Sequence, residues 1–482
     1  MSIESQVIDA LTRVVGPDWI KTHGSDLDTY AADGLPTRES KPGAVVLPKC
    51  TAEIRSILRI LNHHRVPFVA RGAGTGLSGG ALAGSDAVSV VLTRMNKILE
   101  IDAQNRRAVV EPGVVNIRLS EAAAQFGLHY APDPSSQSAC TIGGNVAENA
   151  GGPHCLKYGV TTNHILELDV VLPNGEITTL GSPGGDTWGP DLVGLFIGSE
   201  GMFGIATRIV VRLTPIPTDV RTLLADFDSL RQAGTAVSKV IASGIVPAAL
   251  EMMDRECVNA VEASIYAAGY PTDAAAVLLA EVDGSGVKSV EAEADSIEKI
   301  LLENGARTVR TAANEAERNK LWQGRKKAFG ALGRISPHLL VQDAVVPRSK
   351  LPDVLERISD IGKWHGVKVS SVSHAGDGNL HPNLNFDRNN AEEYARVEAA
   401  SAEIIDACIK AGGTITGEHG VGMDKIQHMT KIFDADTLTA MREARRVFDP
   451  NEIANPGKVL PTHSCREWSG APGLTRSKES QA

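Results

Sequence analysis

His374 and His381 are separated by Ala375-Gly376-Asp377-Gly378-Asn379-Leu380, a turn-rich stretch between two strand-like runs. A hairpin there can turn both imidazoles to one face and aim them at a common centre. Glu418 stands in Gly417-Glu418-His419-Gly420-Val421-Gly422, where flanking glycines let the backbone come close to a ligand. Two imidazoles and a carboxylate make a three-ligand metal site with positions left open, the pattern of catalytic rather than closed structural centres. The plainer alternative is a pair of histidines at the surface or satisfied in a core. Arg325, in Leu321-Trp322-Gln323-Gly324-Arg325-Lys326-Lys327, could hold a carboxylate through its planar fork or could belong to a solvated helix face. Asn383, two residues past His381, lies on the same face of a strand and is a further contact candidate.

A second chemistry is written in glycine. Arg71-Gly72-Ala73-Gly74-Thr75-Gly76-Leu77-Ser78-Gly79-Gly80 follows a short strand, and Gly74, Gly76 and Gly79 satisfy GxGxxG. The dinucleotide fold requires a helix to open at that motif, so that its N-terminus meets the pyrophosphate. Ala81 to Asp86 and the strand-like Ala87 to Leu92 come next, so that reading fails on context. What survives is a run of unshielded backbone N–H groups able to cradle phosphate oxygens. Two further clusters, Thr141 to Gly152 and Phe196 to Ile205, could line an extended ligand along its length. Of the 47 glycines, 20 fall in five windows covering 52 residues: 71–80, 143–159, 198–204, 374–380 and 412–422. The remaining chain is about 6% glycine, ordinary against an average near 7%, so the surplus is local and not a low-complexity character.

The elements that must position these groups change texture at Thr214-Pro215-Ile216-Pro217. Before it the chain reads as strands, turns and glycine loops, with an amphipathic helix from Thr51 and an Asn174-Gly175 hairpin turn inside Val170 to Thr179. After it, strand-like runs alternate with long helical ones: strands near 220–227, 247–253, 276–283, 306–311, 339–346, 366–374 and 379–386, and helices near 228–243, 287–304, 314–332, 349–364 and 391–411. Two βαβ-type halves sharing one sheet, with helices on one face, make an α+β domain. Helices from 424 to 448 close the chain.

Composition limits the partners. Lys and Arg number 48 against 58 Asp and Glu, a net charge of −10, which opposes phosphate backbones and anionic lipid. The six cysteines show neither CxxC nor the spacing of an iron–sulfur cluster, fitting a reducing cytoplasm. The start is polar and acidic, unlike a secretory signal, and no apolar run approaches the ~20 residues of a membrane span.

The motifs RGAGTGLSGG, PDPSS followed by TIGGNVAENAGGPHCLKYG, and FIGSEGMFGI together resemble those of FAD-dependent oxidoreductases of the vanillyl-alcohol-oxidase or p-cresol-methylhydroxylase (PCMH) fold. The likeness runs from about Lys41 to Leu460 and points to the branch of D-lactate dehydrogenases, D-2-hydroxyglutarate dehydrogenases and the FAD-linked glycolate oxidase subunit. It implies an α+β protein: an N-terminal helical segment at 1–40, a PCMH-type FAD-binding domain at 41–217, a substrate (cap) domain with an antiparallel sheet at 218–425, a C-terminal helical segment at 426–461 returning to the FAD domain, and a flexible tail at 462–482. Arg71, Gly72, Ala73, Gly74, Thr75, Gly76, Leu77, Ser78, Gly79 and Gly80 would cradle the pyrophosphate. Pro132, Ser138, Thr141, Gly143, Gly144, Asn145, Gly151, Gly152, Gly159, Glu200, Gly201 and Ile205 would lie along the cofactor, with Asn455 returning to it from the C-terminal end. The pyrophosphate loop holds no histidine for a covalent tether, so dissociable FAD is expected; His154 and Cys155 fall near the flavin ring with their roles left open.

The same resemblance implies a divalent ion, commonly zinc, on His374, His381 and Glu418, with His419 as the general base that takes the hydroxyl proton of a 2-hydroxy acid. Arg325 matches the arginine that holds the substrate carboxylate, and Asn383 is a weaker contact. Phe329 stands one helical turn beyond Arg325, where 2-hydroxyglutarate enzymes would need a polar group, so a small acid such as glycolate or D-lactate is expected. Electrons would then pass to a separate acceptor, an iron–sulfur subunit in the glycolate oxidases of this type, associated with the membrane through that partner. The oligomeric state stays open. The alternatives are a D-2-hydroxyglutarate-type dehydrogenase and a non-catalytic flavoprotein subunit.

Overall fold

The computed structural model describes residues 3–185 and 189–461; the tail expected at 462–482 lies outside them. The N-terminal part is built on two sheets. In the first, Ala44–Val46 and Phe68–Arg71 each pair in parallel with Val88–Val91. The crossover helix Thr51–His64 buries Ile54, Ile57, Leu58 and Leu61 against Val46, Phe68, Val88 and Val90. Parallel strands need such a covering helix because their ladder cannot be closed by a tight turn. After Arg71 the chain runs through turns to Val88 without opening a helix, which keeps the dinucleotide-fold reading excluded.

The second sheet is antiparallel, ordered Ile98–Asp102, Arg107–Val110, Ile205–Arg212, Ile165–Val171, Ile177–Gly181. Its last two strands form the hairpin signalled by Asn174-Gly175, where Gly175 takes φ +82°. Two helices, Asn116–Ala123 and Ile142–Glu148, lie in a stretch read as strands, turns and loops. Two glycines lower the intrinsic propensity of the second, and tertiary packing overrides it. A Cβ on Gly143 would lie 2.6 Å from the Pro112 side chain, so that approach requires glycine.

Beyond Pro217 one eight-stranded sheet carries the rest, with every pairing antiparallel. Ala306–Thr311, Asp219–Phe227, Ala276–Gly284 and Ala249–Asp254 lie side by side in that order, and Lys368–His374, Asn379–Phe386 and His338–Val341 continue the sheet. The expectation of helices on one face is corrected. Leu223, Ala225 and Phe227 pack on one side with Val237, Ile297 and Ile358, while Leu224, Val277 and Leu279 pack on the other with Val261, Leu321 and Trp322. The sign was in the strand itself: Ala276-Val277-Leu278-Leu279-Ala280 is apolar without alternation, as a strand covered on both faces must be.

Three local departures matter for the site. The helix read over 314–332 breaks at Lys327 into Glu315–Lys326 and Ala328–Leu332. The strand read over 339–346 is interrupted at Gln342-Asp343. An unanticipated helix, Arg255–Glu262, is capped by Asp254, whose carboxylate accepts from the Cys257 N–H. The closing helix Ala435–Phe448 returns to the N-terminal part, where Phe448 stacks on Phe203 at 4.5 Å and the Asn455 N–H donates to the Phe68 carbonyl at 2.8 Å. Among the described residues no helix is long and apolar enough to cross a membrane.

Candidate active site

The hairpin of Lys368–His374 and Asn379–Phe386 brings His374 and His381 together on the sheet, their rings 5.0 Å apart. Glu418 enters from the glycine-flanked loop, and its Oε1 lies 3.1 Å from His374 Nε2 and 3.2 Å from His381 Nε2. The candidate ligand atoms of these three residues all lie within 4.8 Å of one another. Each imidazole is fixed through its other nitrogen: His374 Nδ1 meets Glu251 at 2.8 Å, and His381 Nδ1 meets the Gln342 carbonyl at 3.1 Å. That outer arrangement, an imidazole held by a carboxylate or carbonyl so that Nε2 is presented inward, fits a metal ion. Burial alone would lower the His374 pKa, but Glu251 and Glu418 outweigh it and raise it well above the ordinary value. A proton and a metal ion therefore compete for the same nitrogen.

His419 stacks face to face on His381 at 4.9 Å, with its Nδ1 buried and unpartnered. Burial pushes its pKa down to about 4, leaving a neutral imidazole that can accept a proton at neutral pH. The loop that carries it is pinned by Asp343, which the sequence reading did not single out. Asp343 Oδ2 accepts from the Thr416 hydroxyl at 2.6 Å and from three consecutive N–H groups, those of Gly417, Glu418 and His419. Asp343 is fully buried, and although burial alone would raise its pKa, His419 and Lys425 hold it well below the usual carboxylate range.

One cavity of about 470 Å³ joins this cluster to the glycine loops. Arg71 to Leu77 and Gly80 line its far end; Thr141, Gly143, Gly144, Asn145, Glu200 and Gly201 line its middle; His374, His381, Glu418 and His419 line the near end with Lys326, Phe329, Leu339 and Val341. A Cβ on Gly72 would lie 2.3 Å from Thr141 Oγ1, and Gly74 takes φ +72°, so two loops meet there at a distance only glycine allows. This cradle fits a phosphate-bearing cofactor.

Other expected residues lie behind the wall. Ser78, Gly79, Pro132, Ser138, Gly151, Gly152, Gly159, Ile205 and Asn455 are not part of the lining. Ser138 is exposed, and Ile205 is core at the start of its strand. Gly151 separates Glu418 from Cys155: a Cβ there would lie 2.7 Å from Glu418 Oε2 and 3.0 Å from the Cys155 thiol, which burial keeps protonated. Asn455 ties the loops together, its amide donating to the Gly80 and Glu200 carbonyls at 3.0 and 2.6 Å. Glu200 in turn accepts from the Val421 and Gly422 N–H groups, fastening the Glu418 loop to the cofactor end.

Arg325 and Asn383 also stand back from the cavity. Arg325 is wholly buried, its Nη2 at 2.5 Å from Glu251 Oε2 at angles outside those of a hydrogen bond, so all three guanidinium nitrogens lack one. Glu251 lies between Arg325 and His374 and meets both. Asn383 donates to the Ser370 and His381 carbonyls within the hairpin. Glu251 was missed as well, though a lone acid in the apolar strand Ala249-Leu250-Glu251-Met252-Met253 is a signal of a buried charge with a partner.

Residues 42–181 match the FAD binding domain family, and residues 216–459 match the family of FAD linked oxidases, C-terminal domain. The chain belongs to the FAD-linked oxidases. FAD is therefore its cofactor. Glycolate oxidase subunit GlcD of Escherichia coli K12 is 49% identical over 441 residues, covering 91% of this chain and 88% of that protein. The Bacillus subtilis protein of the same name is 42% identical, covering 95% and 97%. A D-lactate dehydrogenase of Anaerostipes hadrus is 34% identical, covering 87% and 90%. Among solved structures, p-cresol methylhydroxylase with substrate bound superposes with a TM-score of 0.80 at 18% identity, covering 94% of this chain and 96% of that one. A likeness that low in identity speaks for the fold, and the FAD-linked oxidase has the PCMH-type architecture.

Proposed function

We propose that this FAD-linked oxidase oxidises a small 2-hydroxy acid, glycolate or D-lactate, to the 2-oxo acid. The observation that carries the reading is the convergence of His374, His381 and Glu418, with the unpartnered His419, in one cavity with the glycine loops Arg71 to Leu77 and Gly143-Gly144. The names of the relatives, glycolate oxidase subunit and D-lactate dehydrogenase, support it.

His374, His381 and Glu418 would hold a divalent ion, zinc by the nitrogen-rich donor set. Bound there, it lowers the pKa of a coordinated hydroxyl. FAD, held without a covalent bond, supplies the acceptor for the hydride leaving the same carbon. The chain's own part is positional and acid–base. Glu251 and the Gln342 carbonyl keep both Nε2 atoms aimed inward, Asp343 fixes the height of the Glu418-His419 loop, and neutral His419 takes the hydroxyl proton. Phe329, Leu339 and Val341 make the wall beside the cluster apolar, which suits a substrate with no distal carboxylate and disfavours the 2-hydroxyglutarate alternative.

The absence of an iron–sulfur cysteine spacing and the word subunit in the relatives' names support electron delivery to a separate iron–sulfur subunit. We place the protein in the cytoplasm, at the membrane only through that partner. Anaerobic mixing tests the reading. Glycolate or D-lactate should bleach the oxidised flavin spectrum, with L-lactate and D-2-hydroxyglutarate much slower, and loss of the divalent ion to a chelator should abolish bleaching. An unbleached flavin with both acids overturns it.

A further inference from the structure

The N-terminal segment is fixed to the FAD-binding part on either side of residues 31–40. Before them Leu27 packs with Val45 and Val91 of the first sheet, and at their end the Ser40 hydroxyl donates to the Ala83 carbonyl at 2.7 Å. The Ser40 N–H also donates to the Ala31 carbonyl at 2.7 Å, which closes the neck of the excursion between them. The stretch forms neither helix nor strand. A loop whose ends meet in this way is an Ω-loop, a compact unit held by its neck and by whatever its tip reaches.

The tip reaches two places at once. Toward the glycine loop, the Arg71 guanidinium donates to the Ala32 carbonyl at 2.7 Å, and the Gly34 N–H donates to the Gly76 carbonyl at 2.8 Å. A Cβ on Gly34 would lie 2.7 Å from that same carbonyl oxygen and 2.9 Å from Leu77 Cδ2, so the two backbones meet at a distance that glycine allows. Gly34 lines the cavity together with Arg71, Gly76 and Leu77. In the other direction, Leu35 is 2% exposed and belongs to the apolar core on one face of the eight-stranded sheet. Every other buried member of that core lies between Leu223 and Cys408. A Cβ on Gly79 would stand 3.2 Å from Leu35 Cδ2, so the same side chain also lies against the glycine loop. Arg388, just past the strand Asn379–Phe386, adds an ion pair with Glu39 at 2.8 Å and a bond to the Pro36 carbonyl at 3.3 Å.

These contacts differ in how they come undone. The hydrogen bonds of Ala32 and Gly34 can be replaced by water at modest net cost, and the Arg388–Glu39 pair is exposed and worth little. Leu35 cannot withdraw without exposing its side chain and leaving a void in the core of the sheet. It is the fastening, and the loop from Arg71 to Gly80 lies beneath it.

We propose that residues 31–40 act as a clasp on the cofactor: pinned into the core of the eight-stranded sheet by Leu35, they hold the Arg71–Gly80 loop in place around FAD, and FAD leaves when Leu35 withdraws. Retention of the cofactor then depends on a side chain outside every glycine cluster, and the release rate follows how often the clasp opens.

The experiment reads FAD release from the full-length, flavin-loaded protein as the rise in free-flavin fluorescence after dilution. It uses no substrate, so its outcome is separate from that of the reaction assigned above. Leu35→Ala should release FAD about tenfold faster or more. Ile297→Ala empties the same core from the helix Val287–Glu303, which packs on Asp219–Phe227 and Ala276–Gly284. It should lower the melting temperature yet leave FAD release within about twofold of wild type, a separation that a merely structural role for Leu35 does not produce. Gly34→Ala pushes the clasp off the glycine loop while Leu35 and the core stay intact, and should also speed release. Hydrogen exchange should show residues 31–40 protected in the flavin-loaded protein and open in the apoprotein. Leu35→Ala that releases FAD no faster than Ile297→Ala, or Gly34→Ala that releases it at the wild-type rate, overturns the proposal. Exchange in residues 31–40 that is equal with and without FAD overturns it too, and if Leu35→Ala does not fold, these last two measurements decide.

Discussion

At one end the cavity is lined by Arg71 to Leu77 and Gly80, four of the eight glycine, whereas at the other it is lined by His374, His381, Glu418 and His419. The cofactor end gains its shape from what is missing, since Gly72 and Gly74 admit Thr141 and Arg71 to distances a Cβ would close. The histidine-lined end gains its character from atoms that are present and held: His374 by Glu251, His381 by the Gln342 carbonyl, and the Glu418-His419 loop by one oxygen of Asp343. A wall of N–H groups tolerates most changes except added bulk. A wall of oriented side chains tolerates bulk poorly too, but fails first when a single nitrogen or oxygen is exchanged. The two ends should therefore fail differently, in binding at one and in rate at the other.

His419→Gln gives the largest effect. The amide keeps size and polarity but cannot take a proton, so the anaerobic flavin-reduction rate should fall by about 10²- to 10⁴-fold while the flavin content of the purified protein stays at the wild-type level. Loss of flavin from this variant would break the distinction between the ends. Gly72→Ala is the mirror case. The new Cβ would meet Thr141 Oγ1, which caps the helix Ile142–Glu148 by accepting from the Gly144 N–H, so the cradle must spread. FAD affinity should fall about tenfold, roughly 1.4 kcal/mol by titration of apoprotein, while the protein that retains flavin reduces at a rate within about twofold of wild type.

The same contrast explains what the sequence made legible. Glycine clusters are a compositional signal, readable without knowing what they face, and Gly72, Gly74, Gly76, Gly80, Gly143, Gly144 and Gly201 do line one cavity. His374, His381 and Glu418 drew notice through the turn and the glycines that flank them, but it was the family resemblance, more than the spacing, that pointed to a metal there. Their supports drew no notice. Glu251 meets His374 across 123 residues of chain, and Asp343 reaches Glu418 across 75. Such pairs are set by which strand lies beside which, and periodicity reports only which face of its own strand a residue takes. Arg325 and Lys326 illustrate the limit most sharply. Neighbours on one helix, they point to different places, one into the sheet behind Glu251 and one into the cavity. The break at Lys327 ends the helix there, a turn that helical spacing alone did not signal.

The smallest effect should arise away from both ends, where His154 ties Asp133 to Glu281. Burial alone would lower the pKa of His154, but Asp133 and Glu281 push it up to about 10. An unfolded histidine titrates near 6.5, so between about pH 6.5 and 10 the folded protein holds a proton the unfolded chain has released. Stability from this group is fully present below that window and is lost as pH rises through it. Other buried groups slope differently: burial pushes the Lys458 amine down to about 8, and stability from that group grows as pH rises from there toward 10.5. The difference between wild type and His154→Gln cancels those contributions. Denaturant unfolding should show the wild type more stable at pH 7 by a few kcal/mol at most, with the gap closing toward pH 10. Flavin and metal content should stay level in both proteins, because His154 is not among the residues lining the cavity that holds His374, His381 and Glu418 and instead ties the Pro132-Asp133-Pro134 loop to Glu281 and Trp322. A gap that persists unchanged at pH 10 would mean His154 acts by packing on Trp322 and not by charge. The contact of the Pro132-Asp133-Pro134 loop with the Trp322 helix would then be held by shape alone.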